Sequence, residues 1–230
     1  WPDPAPEIIV TDIVNQNYTC MALPVQVCLN SCEATAEFVL AAGSFLSTVA
    51  DAPPPNAKTY TPDDLSAHYV LASVPNAGSV AVLKNCPTDW SINKKITTTL
   101  KLTPTGIEKA GGIVLNYNSF VSAGRLRREY IAVVIDGDNG LIKVLRYADA
   151  TFTIEHEAPY LVNIDDWYGL TVVPAPNGDG ATLNIVATNL FTGTTTNLTV
   201  VVPNYGTITG NIGLFAQRSY VYFNSFEVTA

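Results

Sequence analysis

Glu155-His156-Glu157 is the triplet in this chain best equipped for chemistry. On a strand the two glutamates would share one face, about 6–7 Å apart by the strand rise. That approaches the spacing of the paired carboxylates that hydrolyse glycosidic bonds, one as acid and one as base or nucleophile. Ala158-Pro159 follows at once, as at a strand end or loop. A charged edge that discourages strand-to-strand aggregation would need the same residues and no catalysis. That plainer reading is preferred here, with Glu155 and Glu157 kept as the alternative acid pair. Asp136-Gly137-Asp138-Asn139-Gly140 alternates oxygen side chains around glycine, as a calcium loop does. However, the twelfth position counted from Asp136 is Tyr147, not an acid, and Asp-Gly and Asn-Gly are strong hairpin signals. A plain turn is expected, with Asp136 and Asp138 the residues that would take a structural calcium. Asn177-Gly178-Asp179-Gly180 reads the same way.

Other chemistries find little support. His68 and His156 are the only histidines, and neither sits near a second pair of metal ligands. A Gly-x-Ser-x-Gly elbow, a phosphate-binding loop and a dinucleotide-binding glycine pattern are all missing. The aromatics are the better lead. Tyr117, Tyr130, Tyr147, Tyr160, Trp167, Tyr168, Tyr205, Tyr220 and Tyr222 crowd the second half. Sugar rings stack on such faces through their C–H surfaces, while Asn, Asp and Arg bind hydroxyls. Core and cross-strand packing use the same residues. Tyr117, Arg128, Tyr130, Arg218 and Tyr220 flank corners or strand ends, where a loop-built binding site could form, and they are the ligand-binding candidates.

The elements that must position these residues are strands. The chain has 230 residues, only 14 % charged, and is rich in Thr, Asn, Ser, Gly and Pro, a strand-and-turn composition. Such a length suits one large all-β domain with its own core. The net charge of −8 argues against nucleic acid, because neutralising phosphates takes clustered Lys and Arg. The one basic cluster, Arg125–Arg128, reads as a solvated corner before a strand. No apolar run approaches the ~20 residues of a membrane-spanning helix. A start of Trp-Pro-Asp-Pro looks like a processed product. Cys20, Cys28, Cys32 and Cys86 are an even count gathered mostly in the first third, which points to two disulfides in a secreted protein. A metal site on the C-x3-C spacing is the weaker rival. Sequons at Asn17 and Asn197 fit an extracellular glycoprotein.

Residues 1–34 read as an irregular, disulfide-stapled arm, and residues 35–230 as a single sandwich domain. Strands are expected within Glu33–Val49, then at His68–Ser73, Ser79–Leu83, Lys95–Thr103, Gly112–Asn118, Glu129–Asp136, Leu141–Tyr147, Trp167–Val173, Ala181–Thr188 and Thr196–Val202. Thr61–Leu65 reads as a short helical turn. Gly210–Val228 alternates apolar and polar residues on both sides of Gln217-Arg218-Ser219, and is expected to form a hairpin. Alternation within Tyr220–Phe226 sets Val221 and Phe223 on one face and Tyr220 and Tyr222 on the other. A tyrosine hydroxyl can reach water and phenylalanine has no such handle, so Phe223 is expected inward and Tyr222 at least partly exposed.

Four stretches in order, Ala110–Tyr117 (AGGIVLNY), Tyr130–Arg146 (YIAVVIDGDNGLIKVLR), Asp166–Val173 (DWYGLTVV) and Gly210–Val228, resemble the closing strands of the concanavalin A-like lectin and glucanase superfamily. The likeness is greatest to its sugar-binding and 3-keto-glycoside-hydrolase-like modules, and covers roughly Ala36 to the end. It implies an all-β, antiparallel two-sheet jelly roll, and allows a structural calcium between an early loop and the last strand. It also implies that Trp167 is a packing residue. The glucan-cleaving relatives carry E-x-D-x-x-E or E-x-D-x-E on one strand, and the lyases carry strand-borne Arg, Gln-x-His and Tyr. This chain has neither set. The expectation is a secreted domain without evident catalytic machinery that binds a polysaccharide or glycoconjugate. The alternatives are a structural subunit of an extracellular coat, fibre or adhesive layer, including a homo-oligomer, and a glycoside hydrolase or polysaccharide lyase with an atypical acid pair.

Overall fold

The computed structural model describes residues 20–22, 26–29, 37–40, 58–59, 68–72, 78–84, 92–122, 125–148, 151–205 and 210–229. They form an antiparallel β-sandwich, with no α-helix among the described residues. The strands are β1 (Cys20–Ala22), β2 (Gln26–Leu29), β3 (Glu37–Leu40), β4 (Lys58–Thr59), β5 (His68–Ala72), β6 (Gly78–Lys84) and β7 (Lys95–Ser122). They continue with β8 (Arg125–Asp136), β9 (Leu141–Ala148), β10 (Thr151–Pro159), β11 (Trp167–Asn177), β12 (Gly180–Asn189), β13 (Thr195–Val202) and β14 (Asn211–Thr229).

Two long strands, β7 and β14, pair with each other and run through both layers. The first half of β7 and the last third of β14 belong to a first sheet, which continues through β11, β12 and β13. The second half of β7 and the start of β14 belong to a second sheet, with β3 and β6 on one side and β8, β9 and β10 on the other. On its far side β14 also takes β5 and then β2, the latter in parallel. The segment read as an irregular arm therefore contributes two short strands.

The expected hairpin at Gly210–Val228 does not form: β14 is one strand. Gln217-Arg218-Ser219 lacks the Gly, Asn or Pro that a reversal needs. The register slips between Gln217 and Ser219, again before Val221, and once more before Ser225. These bulges absorb the polar corner as a bend. In β7 the matching bend lies between Leu102 and Gly106, around Pro104, which has no N–H to give to a ladder. Across the bend the inward side changes parity, from Leu214 and Ala216 to Val221 and Phe223 on β14. Leu100 and Leu102 point inward before the β7 bend, Ile113 and Leu115 after it. Arg125–Arg128, expected as a corner, is instead the start of β8, paired with Ser119–Ser122.

The main core lies between the sheets. It joins Ile96, Leu100, Leu170, Leu183 and Phe223 of the first to Ile113, Ile131, Val133, Val144 and Leu214 of the second. Phe223 is fully buried and Tyr222 only half-buried, as expected. A second apolar cluster covers the outer face of the second sheet: Val80, Val114, Tyr117, Tyr130, Ala132, Val134, Leu145 and Phe215. The helical turn expected at Thr61–Leu65, and Asn17, Cys32 and Cys86, lie outside the described residues.

Candidate functional site

The structure brings Tyr117, Arg128 and Tyr130 together, but not as a surface. Tyr117 is 4 % exposed and Tyr130 not at all. Asn118 pairs with Glu129 just past a bulge, which sets Tyr117 and Tyr130 side by side on the outer face of the second sheet. Their rings stack at 5.8 Å, and Tyr130 stacks on Tyr147 at 4.9 Å and 13°. Phe152 packs edge-on against Tyr130, Tyr147 and Phe215, and Phe215 lies tilted against Tyr130. The Arg128 guanidinium caps the stack, 5.2 Å from the Tyr147 ring, with its Nη2 donating to the Tyr147 hydroxyl at 3.4 Å. Burial drives the Tyr130 hydroxyl far above its ordinary pKa, against the lowering influence of Arg128. These tyrosines are packing residues of a second core, not a platform open to solvent. Tyr220 is half-buried at the β14 bend, where its carbonyl accepts from the Thr103 hydroxyl at 3.0 Å. The Arg218 side chain lies outside the described ones.

The acid pair is split by a bulge. Ile154 pairs with Leu145 and His156 with Val144, leaving Glu155 as the extra residue, so the alternation that would align Glu155 with Glu157 is broken. Glu155 is half-buried and accepts from Arg146 Nε at 2.6 Å, while the same guanidinium reaches the Pro203 carbonyl. Glu157 is exposed. At the Asp136–Gly140 hairpin both acids hold lysines. Asp136 Oδ1 accepts the backbone N–H groups of Asp138 and Asn139, and its Oδ2 takes Lys143 Nζ at 2.6 Å and Asn139 Nδ2 at 2.8 Å. Burial would raise the Asp136 carboxyl, but hydrogen bonds from Lys143 and Asn139 and the lysine charge outweigh it and hold the group below the usual carboxylate range. Asp138 pairs with Lys109 Nζ at 2.6 Å. Among the described residues, no three His, Cys, Asp or Glu side chains gather as a metal cluster.

A different surface has the makings of a site: the outer face of the first sheet. Tyr222 on β14 is the partner of Lys101 on β7, and Lys101 is the partner of Trp167 on β11. The inward neighbours Leu100, Leu102, Tyr168, Val221 and Phe223 are all buried, so these three side chains form one row on the opposite side. Lys101 Nζ lies 5.9 Å from the Trp167 ring centroid. Behind the row, Thr97 and Thr171 share a hydroxyl hydrogen bond at 3.0 Å, as do Thr188 and Thr195. Gly169 leaves a shallow floor, where an added Cβ would meet only Leu190 Cδ2, at 3.5 Å.

The row ends at a fixed turn. The Asn189 side-chain oxygen accepts the N–H groups of Phe191 and Thr192, and Gly193 takes a positive φ of 73°. Asn189 Nδ2 donates to Asp166 at 2.8 Å, and the Tyr168 hydroxyl donates to the Asn163 carbonyl at 2.9 Å, locking this turn to the 160–166 loop. Burial pushes the neighbouring Tyr160 hydroxyl up to about 12. The turn displays Phe191, 85 % exposed, and Leu190, whose N–H donates to the Trp167 carbonyl at 2.8 Å. Trp167 was expected only to pack, and Lys101, Leu190 and Phe191 were not singled out. Strand parity alone would have put Lys101 and Trp167 on the polar sides of their strands.

No family model and no curated protein matches the chain. Among solved structures, a carbohydrate-binding module from Bacillus subtilis superposes with a TM-score of 0.52 at 10 % identity, over 75 % of this chain and 92 % of that one. A basic winged bean lectin solved with Tn-antigen matches at 0.46 and 9 % identity, over 70 % of this chain and 84 % of the lectin. A Caenorhabditis elegans galectin matches at 0.40 and 14 % identity, over 61 % and 85 %. At these identities the likeness is one of fold, an antiparallel β-sandwich of the jelly-roll kind.

Proposed function

We propose that this protein is a secreted glycan-binding module whose binding surface is the outer face of the first sheet. The observation that carries the reading is the cross-strand row Tyr222–Lys101–Trp167 on a sheet face lined by threonine hydroxyls. Aromatic rings offer flat C–H stacking surfaces, Lys101 and the threonines offer hydrogen bonds, and the shallow shape suits an extended polysaccharide chain. The shared fold with a carbohydrate-binding module agrees with this and does not select the ligand.

A glycan array followed by calorimetry on the purified protein tests it. Trp167→Ala and Tyr222→Ala should each weaken binding by about 2 kcal/mol, roughly thirtyfold, as centrally placed aromatic anchors do. No binding to any polysaccharide by the folded protein would sink the reading. Glu157→Gln should leave binding unchanged, and any hydrolysis that it abolishes would revive the acid pair. The extracellular setting rests on the even count of cysteines, and the register of β1 with β2, Cys20 opposite Cys28, is compatible with a disulfide between them. Titration of the denatured, unreduced protein should find no free thiol.

A further inference from the structure

Every open sheet must manage its edges, where unpaired backbone groups invite another strand. Among the described strands, most edges are guarded. Strands β1, β3 and β4 are two to four residues long. Strand β10 carries a bulge, Glu155, His156, Glu157 and a closing Pro159. Strand β13 differs on every count. Its eight residues, TTNLTVVV, contain no charge, proline or glycine. Its ladder with β12 runs unbroken from Thr188↔Thr195 to Ala181↔Val202, so the strand is not bent away. Among the described residues, no other strand pairs with it.

We infer that β13 is a self-association edge. Two copies would pair β13 with β13, antiparallel, about a two-fold axis at Leu198, which sets Asn197 opposite Thr199, Thr196 opposite Val200 and Thr195 opposite Val201. A second copy is the fitting occupant because antiparallel self-pairing sets neutral Thr, Asn, Leu and Val side chains opposite one another, with no charge opposing a like charge. The chain carries −8 overall, yet neither β12 nor β13 holds a charged residue, so self-repulsion is least along this edge. Val201, 59 % exposed on the outer face, would gain cover near the ends of the paired strands. The inference stands whatever the face binds.

Sedimentation velocity across a concentration series, on full chain made in a host that does not N-glycosylate, should show a monomer–dimer equilibrium. Asn197 and Thr199 are exposed, so Asn197→Lys/Thr199→Lys should keep the wild-type circular dichroism and be monomeric. Asn197→Glu/Thr199→Glu should also be monomeric, and an equimolar mixture of the two should dimerise again. A wild type that stays monomeric throughout, a lysine variant that stays dimeric, or a mixture that stays monomeric would each overturn the inference. Should the double variants lose their fold, Val201→Lys asks the same question at one exposed position.

Discussion

The two sheets present outer faces of opposite character. That of the second sheet is a buried stack of Tyr117, Tyr130, Tyr147, Phe152 and Phe215. That of the first sheet is a row of Tyr222, Lys101 and Trp167 above hydroxyl-bearing threonines, half open to water. Both contain aromatics at alternate strand positions, so aromatic content alone does not mark a binding surface. The difference lies in what surrounds the rings: valine, alanine and leucine on one face, threonine and lysine on the other. A ring walled by aliphatic groups contributes to folding, while a ring beside hydroxyls and an ammonium stays available to a ligand.

Paired substitutions would break this contrast if it is wrong. Phe215→Ala should cost about 3–5 kcal/mol in urea denaturation, whereas Trp167→Ala should cost no more than about 1 kcal/mol while weakening glycan binding. Equal costs would mean that both faces are cores. The glycines sharpen the point. A Cβ at Gly112 would lie 1.9 Å from the Val133 carbonyl oxygen, backbone that cannot step aside. Gly112→Ala should therefore cost about 3 kcal/mol, and Gly169→Ala, with ordinary contacts, within about 0.5 kcal/mol.

Acid should act on the hairpin at the end of the second sheet. The Asp136 pKa is depressed on folding, so its contribution is complete above the ordinary carboxylate value of 3.8 and is lost as pH falls through the folded value. Asp136→Asn should flatten the fall in denaturation midpoint below about pH 4, relative to wild type. The smallest expected effect is Tyr130→Phe. The Tyr130 hydroxyl is buried without a hydrogen-bond partner among the described residues. Its removal should leave stability unchanged or raise it by up to about 1 kcal/mol in the same urea titration.

The fold was largely legible because period-two alternation survives inside each straight segment. Alternation separated Phe223 from Tyr222, the tyrosine hydroxyl and the family resemblance chose which faced inward, and β11, β12 and β13 fall close to their expected bounds. The bends were harder to read. At Gln217–Ser219 and around Pro104 the alternation changes phase, which in sequence looks like two strands with a turn between them. The site was less legible than the fold. Tyr117 and Tyr130 have the same local pattern as Tyr222, and only tertiary cover separates them. The Tyr222–Lys101–Trp167 row joins three strands distant in sequence, and its alignment depends on registers that no local pattern encodes.

The sharing of β7 and β14 between the layers bears on how the molecule is made. Neither sheet can be completed without β14, which is synthesised after every other strand and pairs with β2, β5, β6 and β7. Until it leaves the ribosome, the open side of β7 lacks its partner, and so do β2, β5 and β6 on the far side of β14. Such late, long-range closure implies a high contact order and slow, nearly all-or-none folding. Nascent chains stalled before β14 should thus remain sensitive to protease along their whole length, and the waiting strands would be the natural clients of a chaperone.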